Sequence, residues 1–277
     1  MQALYKLSNN WTLQTVLSKS STKTNGYYHY LWDSANGDEF TRFISKADGT
    51  FYTTDIQQNF IGDFKIGNMR NRLVAGLDYY NSRLINGGSG WVSNGIVSLV
   101  NGTDSGVLTQ AGTDALLTGS FAGNTEANQE IMSAYVSDVL NVTNKLSVMA
   151  SLRLDYFDGK ASQYDGVETK GQVALSPKFG AVYQIVENKV SVFGNYMNGF
   201  KNVAPTTVAD LDGSNSRTKE FDPEQANQFE VGLKTSLYKD IISASVSYYD
   251  IRVKDRVITD PNNINNSIQG GEVESKG

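Results

Sequence analysis

Apolar and polar residues alternate with a period of two along much of this 277-residue chain, the pattern of β-strands that present one apolar face. The clearest stretch is 145–156. Leu146, Val148, Ala150, Leu152, Leu154 and Tyr156 share one parity. Lys145, Ser147, Ser151, Arg153 and Asp155 take the other, and only Met149 breaks the rule. This alternation lasts about 12 residues, the length a tilted strand needs to cross a bilayer. Leu73, Ala75, Leu77 and Tyr79, then Phe229, Val231 and Leu233, then Ile242, Ala244, Val246 and Tyr248 repeat it. About 12 strands are expected, near 11–20, 26–33, 39–46, 50–64, 70–81, 129–141, 144–157, 172–187, 189–200, 223–238, 240–254 and 267–277. Short joints at 65–69, 141–144, 187–189 and 238–240 take turns with longer ones at 82–128, 158–171, 201–222 and 255–266. Short turns at one end and long loops at the other is the outer-membrane barrel rhythm, with the short end periplasmic. The first 60 residues fit less well, because the outer loops expected there are short. The segment 82–128 is rich in Gly, Ser, Thr and Asn and carries only Arg83, Asp104, Asp114 and Glu126 as charges. It reads as a long extracellular loop, since structureless stretches of that length are uncommon inside compact soluble domains.

Composition narrows the chemistry. There is no cysteine, which removes disulfides and thiolate metal sites, and His29 is the sole histidine. No metal site and no catalytic group is expected from so sparse a set of ligands and bases. The chain is read as a non-enzyme. Four prolines against 26 glycines and 15 tyrosines suit strands joined by polar loops. The net charge is −5, without a basic stripe for nucleic acid. Mean hydropathy is −0.35 and no run of 18 apolar residues exists, which excludes a readable transmembrane helix but not a barrel. Periodicity alone leaves open whether the apolar face meets lipid or a second sheet. The aromatic groups Tyr27/Tyr28/Tyr30/Trp32, Tyr79/Tyr80, Tyr156/Phe157 and Tyr248/Tyr249 fit either an interfacial girdle or plain β-propensity.

Motifs decide between these. The stretch 221–234, FDPEQANQFEVGLK, presents Phe221, Pro223, Glu224, Gln228, Glu230, Gly232 and Lys234. Some 45 residues earlier, by position, stand Ser176, Pro177, Lys178, Phe179 and Gly180, then Tyr183. In order along the chain come Asn71–Tyr80 (NRLVAGLDYY), Ala134–Asp138 (AYVSD), Leu152–Tyr156 (LRLDY), Tyr249–Ile251 with Thr259–Pro261, and Gly271–Gly277 (GEVESKG). This ordered set resembles the barrel of TonB-dependent siderophore receptors. Lys178 stands where that family commonly has arginine. Pro223 at the start of a strand costs no ladder hydrogen bond, and Gly76 and Gly232 inside strands suggest close packing or a bulge. Glu230 and Lys234 fall on the polar parity and are placed to pair inside the wall.

The resemblance implies an all-β fold, an antiparallel transmembrane barrel segment making up about 12 of a parent's 22 strands. Residues 1–277 then form one barrel domain. The start MQALYKLSNNWTLQ, which has no apolar signal core, the missing plug and the missing final strands imply a middle-to-late wall segment. The implied function is outer-membrane uptake of ferric siderophores, with a hydroxamate type as the finer expectation. Iron is carried as ligand, and no resident cofactor is expected. The implied partners are the ferric siderophore, outer-membrane lipid and the TonB complex acting through the plug. Trp91 and Phe121 in the long loop are the candidate ligand contacts. The alternatives are a TonB-dependent receptor for a glycan, cobalamin or haem, a barrel enzyme, and a secreted all-β binding module.

Overall fold

The structure is a computed structural model that describes residues 1–33, 37–121, 123–160, 171–237 and 241–277. In chain order the strands are β1 (Gln2–Lys6), β2 (Trp11–Asp33), β3 (Glu39–Ile66), β4 (Met69–Asn86), β5 (Val92–Ser98) and β6 (Thr103–Asp104). Helix α1 (Gln110–Leu117) follows, then β7 (Thr125–Asn141), β8 (Leu146–Lys160), β9 (Gln172–Val186), β10 (Val190–Lys201), β11 (Thr206–Val208), β12 (Arg217–Lys219), β13 (Glu224–Leu237), β14 (Ile242–Asp260) and β15 (Asn263–Lys276). The wall is an antiparallel meander ordered β1-β2-β3-β4-β7-β8-β9-β10-β13-β14-β15. Among the described residues eleven strands thus build it. The expected strands 11–20 and 26–33 merge into β2, and 39–46 and 50–64 merge into β3. Asn25-Gly26 and Asp48-Gly49 read locally as turns, yet they pair across the ladder, Asn25 with Asp48 and Thr24 with Gly49. This removes the misfit of the first 60 residues.

The joints 7–10, 67–68, 142–145 and 187–189 lie at one end, while the two-residue turn 261–262 between β14 and β15 lies at the other. Gly67 takes a positive φ of 61° in the two-residue turn between β3 and β4, and Asn188, φ 57°, does so between β9 and β10. Thr143 Oγ1 accepts from the amides of Lys145 and Leu146 at 3.1 and 3.0 Å in the β7–β8 turn. The expected joint 238–240 and most of the loop 158–171 fall outside the described residues. The expected loop 255–266 is a correction: β14 runs on to Asp260 and β15 starts at Asn263, with register shifts near Arg256 taking up the bend. Segment 82–128 is also more ordered than expected. Strand β5 pairs antiparallel with β3 beyond the end of β4, and Thr109 caps α1, its hydroxyl accepting from Gly112 N at 3.3 Å.

From β2 to β9 the register never shifts, so each parity keeps one face. On the apolar face Leu17, Ile56, Tyr79, Met132, Tyr156 and Val173 form one cross-strand row. Two residues further from the short turns the row becomes Lys19, Thr54, Asn81, Glu130 and Asp158. The apolar run thus stops abruptly. Tyr79 and Tyr196 mark the boundary with their hydroxyls, which donate to Glu130 (3.2 Å) and Asn227 (2.7 Å). On β8 the apolar parity runs from Leu146 to Tyr156, about 33 Å along the strand, or about 25 Å once tilted as barrel strands are. Polar residues on this face bond each other. Thr15 donates to Gln58 at 2.7 Å, and Asn71 donates to Asp138 at 2.9 Å.

The polar face is a network. Arg153 donates to Asp155 (2.8 Å), Ser133 (2.7 Å) and Asp78 (3.1 Å), and Ser133 donates to Asp155 at 2.5 Å. Asp155 is only 3% exposed. One row along, Asn59 donates to Gln14 at 3.0 Å and accepts from the Tyr135 hydroxyl. The Tyr135 ring lies across Gly76. A Cβ there would sit 2.5 Å from the Tyr135 hydroxyl oxygen and 2.6 Å from Asn59 Oδ1. At Gly180 an added Cβ meets neighbours only at 3.6–3.7 Å. We therefore expect Gly76→Leu to destabilise the barrel by about 1–3 kcal/mol through overpacking, with Gly180→Ala nearly neutral. Urea unfolding of the complete receptor checks the contrast, and equal midpoints for the two variants would contradict it.

The outer edges of β1 and β15 carry no partner strand among the described residues. A 277-residue polypeptide expressed alone should aggregate through those edges and its uncovered apolar face. Analytical ultracentrifugation reads this, and a soluble monomer would be the contrary result.

Candidate functional site

The β2–β3 hairpin continues far beyond the apolar row, up to the Trp32↔Thr41 and Asp33↔Phe40 pairs. Its two faces differ in use. On the parity continuous with the apolar face, the segment between β4 and β7 is anchored by charge. Tyr27 donates to Asp114 on α1 at 2.7 Å, and Lys46 donates to the same oxygen at 3.0 Å. Lys46 also lies 5.1 Å from the Tyr27 ring centroid. Arg42 pairs with Asp104 at 2.5 Å, and Asp104 accepts from Gly106 N at 2.9 Å. Asn94 is buried and holds Val107 by two bonds of 2.9 and 2.7 Å. Ile44 and Leu117 are fully buried where α1 packs on β3 and β5.

The other face gathers rings. Tyr30 stacks on its cross-strand partner Phe43, centroids 5.1 Å apart and 13° between planes. Trp91 meets Tyr30 edge-on at 4.7 Å, and Trp32 does so at 6.2 Å. Of the two residues expected to contact ligand, Trp91 joins this cluster. Phe121 instead bridges to Ser89 and is half-exposed. The ring group Tyr27–Trp32 is not an interfacial girdle, because it starts ten residues beyond Leu17. Tyr79, Tyr156 and Tyr248 hold the girdle position on the apolar parity. The signal for the cluster was present as Tyr28, Tyr30 and Trp32 at period two, but nothing in the sequence linked them to Phe43 or Trp91.

The motif residues are structural in their contacts. Phe221 is buried, and its carbonyl accepts from Gln172 at 2.7 Å, which pins the β10–β13 connection. Pro223 precedes β13. Glu224 accepts from Val257 N at 3.1 Å, satisfying an amide freed by the register shift in β14. Gln228 and Ser176 lie on the polar face, while Pro177 and Phe179 lie on the apolar one. Glu230 and Lys234 do not pair. Four residues along one strand separate them by about 13 Å, and Phe193 fills the space over Gly232 between them. A Cβ at Gly232 would lie 2.6 Å from that ring. Glu230 accepts from Asn195 at 3.3 Å, and Lys234 sits 5.0 Å over Phe193.

A family model described as "TonB dependent receptor-like, beta-barrel" matches residues 2–277. The chain belongs to that family. It is 22% identical over 287 aligned residues to the metal-pseudopaline receptor CntO of Pseudomonas aeruginosa strain UCBPP-PA14, covering 99% of this chain and 38% of that receptor's length. The chain thus spans well under half of such a relative. Similar solved structures include the ferric-catecholate import receptor Fiu from Escherichia coli K12. The TM-score is 0.76 at 18% identity, covering 99% of this chain and 43% of Fiu. BauA, the ferric preacinetobactin receptor of Acinetobacter baumannii, gives 0.74 at 19%, with 99% and 40% covered. At these identities the likeness shows the fold.

In a TonB-dependent receptor barrel the apolar face meets lipid and the polar face the lumen. The ring cluster therefore lies on the lumen-facing parity of the outer hairpin, and the ion pairs on the outward parity. Hydrogen bonds from Tyr27 first, and then Lys46, hold the Asp114 carboxyl below its ordinary value of 3.8, while Asp114 first, and then Tyr27, raise Lys46 above 10.5. Asp114, lowered in the folded state, contributes docking stability that is present above its unfolded value and lost as pH falls through the folded one. Lys46, raised, contributes below its unfolded value and loses that only in strong base. Docking of α1 should therefore hold across the neutral range and loosen only below about pH 4. Hydrogen exchange of residues 107–118 against pH reads this. Asp114→Asn should abolish the acid step, and loosening near pH 6 would contradict the assignment.

Proposed function

We propose that the complete receptor takes up ferric siderophores across the bacterial outer membrane, and that this chain supplies roughly half of its barrel wall. Membership of the TonB-dependent receptor family along residues 2–277 carries the reading. The siderophore receptors among its structural neighbours support the fold on which that uptake runs. The mechanism is binding and gated passage, with no bond made or broken. A plug domain elsewhere in the receptor fills the lumen, and the TonB complex delivers energy through it. Ligand meets the outer, lumen-facing rings, with Trp91 and Phe121 among the contacts, and is of the hydroxamate type. Deleting the full-length gene should abolish growth on iron bound to the cognate siderophore under iron limitation. Unchanged growth on every ferric siderophore supplied would reject the proposal.

A second reading draws on one observation, the match to a metal-pseudopaline receptor over 99% of the chain. On that reading the cargo is another metal chelate taken up by the same route. The deletion strain would then fail on a chelated metal other than iron while still growing on ferric siderophores.

A further inference from the structure

The ring-bearing face of the outer hairpin is electrically blank. From the Ser20↔Thr53 pair to the Trp32↔Thr41 pair, the lumen-facing parity carries no charged side chain. The first charges met beyond either end of it on β3 are acids, Glu39 and Asp55. All four cations of this part of the hairpin, Lys19, Lys23, Arg42 and Lys46, stand on the opposite parity. Three of those are already matched there, to Asp48 (4.0 Å), Asp104 (2.5 Å) and Asp114 (3.0 Å). Meanwhile Trp32, Tyr28 and Trp91 are 65%, 52% and 51% exposed. Large rings left open in a group, with one edge-on Trp held just before β5, are what a recognition surface uses, because rings bury much area at little entropic cost.

We propose that this face contacts the metal chelate and selects for one without net negative charge. The inference rests on the siderophore reading and specifies the ligand class. Ring faces carry the negative end of the quadrupole and favour neutral or cationic groups. Between the Ser20↔Thr53 and Trp32↔Thr41 pairs no lysine or arginine on this parity offsets an anion. Three hydroxamates, each of charge −1, neutralise ferric iron, whereas three catecholates, each −2, leave a trianion. The first complex suits the face and the second is repelled by it and by Glu39 and Asp55.

The test uses the purified full-length receptor and two probes, iron-loaded desferrioxamine and the iron complex of a tricatecholate, with affinities from titration calorimetry. Wild type should bind the hydroxamate complex at least about tenfold more tightly. Trp32→Ala and Trp91→Ala should each weaken that binding about tenfold, the effect of removing a well-placed ring. Thr41→Lys, which sets a cation beside Trp32 without removing a ring, should narrow the gap by strengthening tricatecholate binding. Preference for the tricatecholate in wild type, or unchanged affinities in both tryptophan variants, would overturn the inference while leaving siderophore uptake standing. So would acrylamide quenching that finds Trp32 and Trp91 shielded in the ligand-free receptor, since another part of the wall would then cover them. Binding of neither probe, together with no ferric siderophore uptake by cells, would overturn both readings.

Discussion

An unbroken antiparallel register is the constraint on which the rest depends. From β2 to β9 every pair advances in step, so within the apolar band a residue's parity decides which medium it meets. A slip of one residue in β8 would carry Arg153 and Asp155 to the apolar face and Leu152 and Leu154 to the polar one. A buried cation on a lipid-facing strand costs roughly 2–4 kcal/mol at the midplane, and the bonds Arg153 donates to Asp155, Ser133 and Asp78 would be lost as well. The short turns keep this register. Gly67 and Asn188 accept the backbone geometry that tight reversals need, and the insertions are confined to the opposite end.

The network on the polar face explains why motif residues quoted from separate segments belong together. Gly76 and Asp78 come from one segment, Tyr135 from a second, Arg153 and Asp155 from a third, and Ser176 from a fourth. In the folded wall Gly76, Tyr135, Arg153 and Ser176 occupy a single cross-strand row, and Asp78 and Asp155 lie in the next. The glycine is small because the tyrosine ring needs its space, and the same device recurs where Phe193 crosses Gly232. Arg153 satisfies two carboxylates and a hydroxyl from three strands. Removing it would leave the nearly buried Asp155 without its cation, the costly direction for a polar cluster.

The sequence was readable where structure is local in period and opaque where it is not. Alternation within 145–156 predicts β8 and both of its faces, because a strand shows its environment every second residue. Turn chemistry misled at Asn25-Gly26 and Asp48-Gly49. Two weak turn signals that sit opposite each other in one ladder look, one strand at a time, like two ends. The same limit applies to the site. Trp91 stood out as a large ring in a polar loop. Its ring partner Tyr30 and the Phe43 on which Tyr30 stacks are 61 and 48 positions away in the chain, and only the docking of β5 onto β3 brings them together. Glu230 and Lys234 show the reverse error, since shared parity is not proximity when four residues of extended chain intervene.

The alternation does not end where the lipid does. Within the apolar band it separates lipid from lumen. Above the Lys19–Asp158 row the outward parity no longer has hydrocarbon to face, and it is occupied by Arg42, Lys46 and their acidic partners on the inserted segment. That arrangement spends the hairpin's charges on holding α1 and β5, with polar contacts partly shielded beneath them, which leaves the inward parity free of ions. On the proposed uptake reading, a ligand arriving from outside meets rings and hydroxyls backed by a paired two-strand ladder. Moving Arg42 or Lys46 to the inner parity would at once weaken the anchor and supply a counter-ion for an anionic cargo, so scaffold stability and ligand charge are coupled through the same two-residue period.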